Sequence, residues 1–141
     1  MDEISLFEAN KLEDSKSQLL FEGREIIVAN GEIIEAQFKT DSGQYLLIIS
    51  DNCPYEDGIN FYLFSDDLKI LDQLSICQSY TSVQFENVQI IDDSTIEFSF
   101  VSEKKNRVKI TPKGKRSLIP DIRPYIHRDF KPFAKRYLEV I

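Results

Sequence analysis

The sequence predicts a single, mainly antiparallel β domain, folded as a twisted sheet or a β-sandwich of about seven to nine strands. Three observations favour this class. Apolar and polar residues alternate over several short runs, ten Phe and six Tyr enrich the chain in strand-forming aromatics, and polar connectors separate the runs. A chain of 141 residues is long enough to bury one core. We expect one domain over 1–141.

The clearest strand pattern lies in the second half of the chain. Alternation over 96–100 and again over 107–110 has the period of a half-buried strand. The two polar connectors of this region are 92–94 and 102–106. Val83 and Phe85 are out of phase with Val88 and Ile90, so a β-bulge is expected near Glu86-Asn87. The region therefore predicts a three-stranded antiparallel meander with one bulge.

The first half also indicates strands. Residues 1–16 suit either a short amphipathic helix or a loosely docked arm. Asn30-Gly31 lies between two β-branched runs and predicts a two-residue hairpin turn. The run 45–50 is apolar on both faces, which indicates a central strand covered on both sides. For 68–75 helix and strand spacing both fit, and the neighbouring strands favour strand.

The last thirty residues, 112–141, differ in character. Pro112 and Gly114 are expected to break any regular element, and the segment is rich in lysine and arginine. Residues 129–141 can form a short C-terminal helix if Asp129 is the N-cap. A final strand over 136–140 is the competing prediction, and an irregular tail packed on the sheet is the third.

Charge is distributed unevenly along the chain. Residues 1–100 carry five basic and 20 acidic side chains, whereas residues 101–141 carry 12 basic and four acidic ones. These two parts have net charges of −15 and +8, within a total of −7. Such a division predicts surfaces of opposite sign on the folded protein.

Several classes of function lack support in the sequence. No apolar run approaches the roughly 20 residues that span a bilayer, and the N-terminus lacks the pattern of a secretory signal. We expect a cytoplasmic protein. Cys53 and Cys77 are expected to be free thiols, and His127 is the single histidine. Two cysteines and one histidine are too few ligands for a metal cluster. With no nucleotide-binding or zincin motif, we predict a non-enzymatic protein without cofactor or metal.

Clustered acids provide the main functional hypothesis. Adjacent carboxylates such as Asp66-Asp67 and Asp92-Asp93 are more often turn formers than an acid and base pair, because neighbours on a strand point to opposite faces. Displayed on loops of a rigid scaffold, they can instead bind a basic protein. The predicted partner-binding residues are Asp51, Glu56, Asp57, Asp66, Asp67, Asp92 and Asp93.

The basic C-terminal third gives an alternative. Lys104, Lys105 and Arg107 begin a run of cations interleaved with aromatics, a composition that can follow a phosphate backbone while rings stack on bases. The large acidic excess of the preceding residues opposes binding of nucleic acid. An intramolecular role, with the tail folded onto the acidic sheet, is the preferred reading of these cations.

Two segments carry a family resemblance. The stretches 61–72 (FYLFSDDLKILD) and 85–100 (FENVQIIDDSTIEFSF), in a small acidic β-rich chain, resemble the immunity proteins of bacterial contact-dependent and other polymorphic toxin systems. The resemblance spans 43–110 and rests on no diagnostic motif. It implies a cytosolic inhibitor that binds one cognate toxin domain, often a nuclease, and covers its active site or substrate surface. The basic tail departs from a uniformly acidic inhibitor.

Overall fold

The structure is a computed structural model that describes residues 1–51, 56–79, 85–100, 105–117, 123, 125–128 and 134–141. These residues form strands and turns, with no helix among them. The strands are β1 (Asp2–Glu3), β2 (Phe7–Glu13), β3 (Lys16–Phe21), β4 (Arg24–Asn30), β5 (Ile33–Lys39), β6 (Tyr45–Ser50), β7 (Glu56–Phe64), β8 (Ile70–Ser79), β9 (Phe85–Asp92), β10 (Thr95–Phe100), β11 (Lys105–Arg116), β12 (Ile126–His127) and β13 (Lys135–Val140). The predicted mainly antiparallel β class is confirmed.

The described strands form three sheets. A six-stranded central sheet has the order β1-β5-β6-β7-β8-β12, a four-stranded sheet the order β13-β11-β10-β9, and a three-stranded sheet the order β2-β3-β4. Every described pairing is antiparallel. Most neighbours in a sheet are consecutive along the chain.

The central sheet is covered on both faces. Alternate side chains of β6 enter two different cores, because successive strand residues point to opposite faces. Leu46 and Ile48 pack in the core shared with the four-stranded sheet, where Phe98 and Val108 lie. Leu47 and Ile49 pack in the core shared with the three-stranded sheet. The four β6 residues are fully buried, which confirms the expectation of a strand covered on both sides.

The predicted meander and its bulge are present. Strands β9, β10 and β11 lie side by side, with turn residues after Asp92. Glu97 pairs with Gln89 whereas Ser99 pairs with Glu86, so β9 holds one additional residue between these pairs. Asn87, inside that interval, has φ 56°. An asparagine tolerates this left-handed conformation better than most residues, which accounts for the position of the bulge.

The predicted Asn30-Gly31 hairpin is wrong. Asn30 ends β4 and pairs with Lys16 in the three-stranded sheet, whereas β5 begins at Ile33 and pairs with Ser50 in the central sheet. Gly31, with φ 115°, carries the chain from one sheet to the other. A Cβ atom there would lie 2.7 Å from Cγ1 of Ile49, so the crossing requires glycine for space as well as for conformation.

Both ends of the chain are strands. The N-terminal segment forms β1 and β2 instead of a helix, and Phe7 of β2 is buried in the core. Over the described residues 134–141, strand β13 is observed in place of the C-terminal helix, which confirms the competing prediction. Strand β11 also continues past Pro112 and Gly114, contrary to expectation. A register shift between Ile110 and Lys115 in the pairing with β13 accommodates these residues, and the register of β11 with β10 extends only as far as Lys109.

Candidate functional site

The predicted partner-binding acids fall at two opposite ends of the central sheet. Asp66 and Asp67 lie in the turn between β7 and β8, whereas Asp51 lies where β6 leads towards β7. In an antiparallel meander these consecutive connections alternate between the two ends of the sheet. The structure therefore does not bring all the predicted acids together.

One end collects three acidic turns. Gly43, in the turn between β5 and β6, lies beside Asp66, because a Cβ built on it would be 4.0 Å from the Asp66 Cβ. Asp41 of the same turn also interacts with Asp93 of the turn between β9 and β10. We call this set the acidic end, and its members are Asp41, Asp66, Asp67, Asp92 and Asp93. All five are exposed.

Asp41 is not among the acids that the sequence predicts for partner binding, although Thr40-Asp41-Ser42-Gly43 has the composition of a turn. Its Oδ1 atom lies 2.8 Å from the Met1 ammonium group. That hydrogen bond lowers the pKa of Asp41 and raises the pKa of the ammonium group. Nothing in the local sequence places Asp41 beside Asp93, because two different sheets supply the two turns.

Turn geometry lowers the pKa of two further carboxyls, those of Asp92 and Asp67. The backbone N–H of Ser94 donates to Oδ1 of Asp92 at 2.9 Å and lowers the pKa of that carboxyl. The Ser65 hydroxyl donates to Asp67 and has the same effect there. The turn-forming role predicted for both acid pairs is thus observed. All four side chains of these pairs remain exposed to solvent.

Few cations offset the acidic end. Lys69 Nζ lies 3.5 Å from Asp67, and the Met1 ammonium pairs with Asp41. Within the described part of the chain, no lysine or arginine forms an ion pair with Asp66, Asp92 or Asp93. The acidic end therefore retains a net negative charge.

The opposite end is less suited to docking. Asp51 is only partly exposed, and its Oδ1 accepts a hydrogen bond from Nδ2 of Asn60 at 3.0 Å. Its Oδ2 would lie 2.7 Å from a Cβ at Gly58, so the carboxylate packs against the β7 backbone. Glu56 and Asp57 belong to β7, and their side chains are outside the described residues. Asp51 has a structural role that the sequence did not indicate.

The cations of the nucleic-acid alternative are engaged within the sheet. Arg107 lies directly opposite Glu97 across β10 and β11, and its Nε donates to Glu97 Oε2 at 2.9 Å. Lys105 Nζ is 3.7 Å from the other carboxylate oxygen. The Arg107 guanidinium lowers the pKa of Glu97. Lys104 lies outside the described residues. For Lys105 and Arg107 this geometry agrees with the hypothesis that the basic residues pair with acids of the same chain.

A polar cleft of about 570 Å³ opens at the edge of the central sheet formed by β8 and β12. Ser75, Asp72 and His127 all line it, a residue set that invites comparison with a Ser-His-Asp triad. The Ser75 hydroxyl instead donates to Oδ1 of Asn60 at 2.6 Å. Among the described residues the His127 imidazole forms no hydrogen bond with Ser75 or Asp72. The three side chains share a cleft without the geometry of a nucleophile and its base.

Asp72 joins two sheets. Its Oδ2 accepts hydrogen bonds from the backbone N–H groups of Tyr137 and Leu138, both at 2.8 Å. The Arg128 Nη1 lies 3.4 Å from the same oxygen, and Oδ1 accepts from the Gln73 N–H at 2.8 Å. The carboxylate thus connects β8 of the central sheet to β13 of the four-stranded sheet. Each of its oxygens is occupied by a structural contact.

Neither a metal site nor a membrane-spanning helix is found in the described residues. They contain no group of three or more His, Cys, Asp or Glu side chains placed to hold a metal ion. None of the described segments is a helix of sufficient length and apolarity to cross a bilayer.

Comparison with known proteins gave no relative. The chain matched no protein-family model, no curated protein and no solved structure.

Proposed function

We propose that this protein is a cytoplasmic immunity protein, a non-enzymatic inhibitor that binds a basic toxin domain through its acidic end. The observation that carries this proposal is the convergence of three exposed turns, bearing Asp41, Asp66, Asp67, Asp92 and Asp93, at one end of the central sheet. The resemblance of 61–72 and 85–100 to immunity proteins supports the same reading, since these segments contain four of the five acids.

The scaffold holds these carboxylates in place before a partner arrives. Each turn adjoins a strand that is anchored by a buried apolar residue, since Phe38 precedes Asp41, Phe64 precedes Asp66 and Ile96 follows Asp93. Hydrogen bonds from Ser94 and Ser65 orient Asp92 and Asp67. A preorganised surface loses little conformational entropy on binding. The acidic end is thus a rigid anionic face.

The favoured target is a nuclease domain. Enzymes that act on nucleic acid have basic clefts that accommodate phosphates, and a fixed row of carboxylates is complementary to such a cleft. Long-range attraction would accelerate association at low ionic strength. In this mechanism the inhibitor covers the substrate surface and takes no part in a reaction.

The test requires the toxin domain that the neighbouring gene is expected to encode. Asp66→Lys/Asp93→Lys should weaken binding to that domain by about tenfold or more, mainly by slowing association and by reducing its dependence on salt. Glu8→Lys/Glu25→Lys is the matched control, because it makes the same change in net charge on exposed residues of the three-stranded sheet.

Each outcome decides the proposal. Docking through the acidic end would be supported if only Asp66→Lys/Asp93→Lys binds the toxin domain more weakly and no longer inhibits it. If both variants bind the toxin domain with equal affinity, the proposal is contradicted, because the net charge of the protein would then explain the attraction without a specific surface. Absence of binding by the unaltered protein would also contradict it.

A further inference from the structure

Two consecutive cross-strand pairs in the four-stranded sheet are both cationic. Lys115 of β11 lies opposite Arg136 of β13, and Arg116 lies opposite Lys135. We call these four residues the basic ribbon. Like charges directly opposite each other in an antiparallel pair destabilise the sheet. Further along the same two strands the pairing is complementary, since Lys109 lies opposite Glu139. The cationic pairs are therefore a local feature of one end of β13.

The fold holds the ribbon closed despite the repulsion. Gly114, with φ 71°, lies against Tyr137 and Lys135, because a Cβ there would be 3.0 Å from Cζ of the Tyr137 ring and 3.1 Å from the Lys135 Cβ. Arg123 Nη1 donates to the Val140 carbonyl at 2.7 Å, which attaches a further cation to β13. The positive charge is thus concentrated by packing and by backbone hydrogen bonds.

The ribbon borders two clefts. The larger, of about 570 Å³, is the polar cleft described above, and Arg128, Lys135 and Arg136 line it. The smaller, of about 270 Å³, shares Arg128 and Arg136 and adds Lys115, Arg116 and Arg123. Arg128 is held by Asp72 and donates to the Leu138 carbonyl, so its guanidinium is positioned in advance.

Neutral polar groups complete the larger cleft. Asn30, Gln73, Ser75 and His127 line it together with the three cations. Among the described lining residues the one acid is Asp72, which is buried and engaged with β13 and Arg128. Its volume is in the range of small-molecule sites, although its lining is polar where such sites are mostly apolar. The complementary ligand is a compact, strongly hydrated anion.

We propose that the larger cleft binds a phosphate-bearing anion, with Arg136, Lys135 and Arg128 as its charged contacts. Guanidinium groups match phosphate oxygens in bidentate geometry. This site is separate from the acidic end, so the proposal stands independently of toxin inhibition. The phosphate can belong to a free small molecule or to a nucleic-acid strand.

Calorimetric titration of the full chain with inorganic pyrophosphate at low salt tests the proposal. Binding with a dissociation constant below about 1 mM is expected. Lys135→Ala and Arg136→Gln should each weaken binding by about fivefold or more. The matched control is Lys109→Ala, which removes one cation from the same sheet outside the ribbon and should change affinity by less than about twofold. Circular dichroism of each variant confirms folding.

A thermal melt gives a second readout. Pyrophosphate should raise the melting temperature of the unaltered protein and of Lys109→Ala, with a smaller increase for Lys135→Ala. A short single-stranded oligonucleotide distinguishes the two sources of phosphate. If the oligonucleotide binds more tightly than pyrophosphate and pyrophosphate displaces it, the natural ligand is a nucleic-acid strand. If the oligonucleotide binds more weakly or does not bind, the natural ligand is a small molecule. No titratable binding of pyrophosphate, or equal weakening by Lys109→Ala, would overturn the proposal.

Discussion

The phenol oxygen of Tyr62 lies 2.8 Å from the backbone nitrogen of Asn30 and accepts its hydrogen bond. Tyr62 belongs to the central sheet and Asn30 ends the three-stranded sheet, so this bond joins two layers. Gln73 Nε2 donates to the same oxygen at 3.1 Å. A buried hydroxyl with two donors is a stable arrangement, and its removal leaves both donors without this acceptor.

Tyr62→Phe should therefore lower the free energy of unfolding by about 1–3 kcal/mol. The ring and its packing in the core remain, so the loss reports the hydrogen bonds. Urea unfolding followed by circular dichroism measures it. Tyr125→Phe, at an exposed position, is the control and should change the unfolding free energy by less than about 0.5 kcal/mol. Equal stability of the two variants would show that the Tyr62 hydroxyl is dispensable.

The same tyrosine predicts a loss of stability in alkali. Burial raises the pKa of the Tyr62 phenol above its ordinary value of 10.0. The folded state thus keeps this proton at pH values where the unfolded state releases it, and the free energy of unfolding falls as pH rises past about 10. The difference in unfolding free energy between the unaltered protein and Tyr62→Phe should narrow as pH rises above about 10. A constant difference would refute the assigned shift.

Asp72→Asn tests the connection between β8 and β13. The amide keeps the shape of the side chain but removes the charge that faces Arg128 and the strong acceptor for the N–H groups of Tyr137 and Leu138. Loss of one member of a buried ion pair costs about 3–5 kcal/mol. Urea unfolding should show a decrease of this size, whereas Asp66→Asn, at an exposed turn, should stay within about 0.5 kcal/mol. If Asp72→Asn changes the free energy of unfolding only slightly, the apolar core alone holds β8 and β13 together.

Gly31→Ala tests the crossing between sheets. The new methyl group would lie 2.7 Å from Cγ1 of Ile49, and the residue would keep φ 115°. We expect a loss of about 3 kcal/mol, the sum of backbone strain and overpacking. Gly23→Ala is the matched control, because Gly23 has φ 81° with no atom within 4 Å of the added methyl group. That variant should lose only about 1 kcal/mol. If both variants lose a similar free energy of unfolding, packing against Ile49 does not contribute to the requirement for glycine at position 31.

Charge reversal in the basic ribbon should stabilise the protein. Lys115→Glu places an acid opposite Arg136, and the free energy of unfolding should rise by about 0.5 kcal/mol at low salt. Lys109→Glu makes the same substitution opposite Glu139 and should lower it by a similar amount. Both changes should diminish strongly at about 1 M salt, because Lys109, Lys115 and Glu139 are exposed and Arg136 is only half-buried. Shifts of the same sign would show that net charge, not cross-strand pairing, controls stability.

The predictions that succeeded share a physical basis. The direction of successive side chains along one strand depends on local geometry. The pattern of residues 45–50 therefore predicted a strand buried on both faces, and the pattern of residues 85–100 predicted a bulged hairpin. The turn roles of Asp67 and Asp92 also followed from local chemistry, since serine donors lie two residues away. Where a side chain interacts with its own turn or its own strand, the sequence carries enough information.

The failures involve positions where distant segments meet. Asn30-Gly31 has the composition of a hairpin turn, but Ile49 and Ser50 of another strand determine its actual path. The C-terminal segment had helical spacing, yet residues 135–140 form a strand because β11 and the Asp72 carboxylate offer hydrogen-bond partners to its backbone. Tertiary pairing overrides local propensity in such short segments.

By itself, the sequence determined that this protein is built of antiparallel strands, that acids are concentrated in its first hundred residues and cations in its last forty-one, and that Asp66-Asp67 and Asp92-Asp93 form turns. Only the tertiary structure decided which charges become neighbours. Asp41 and Asp93 meet because two sheets stack, Asp51 is separated from them because meander turns alternate between ends, and Lys115 faces Arg136 through the register of two strands. Proximity between residues far apart in sequence depends on sheet order and register, which no local pattern encodes.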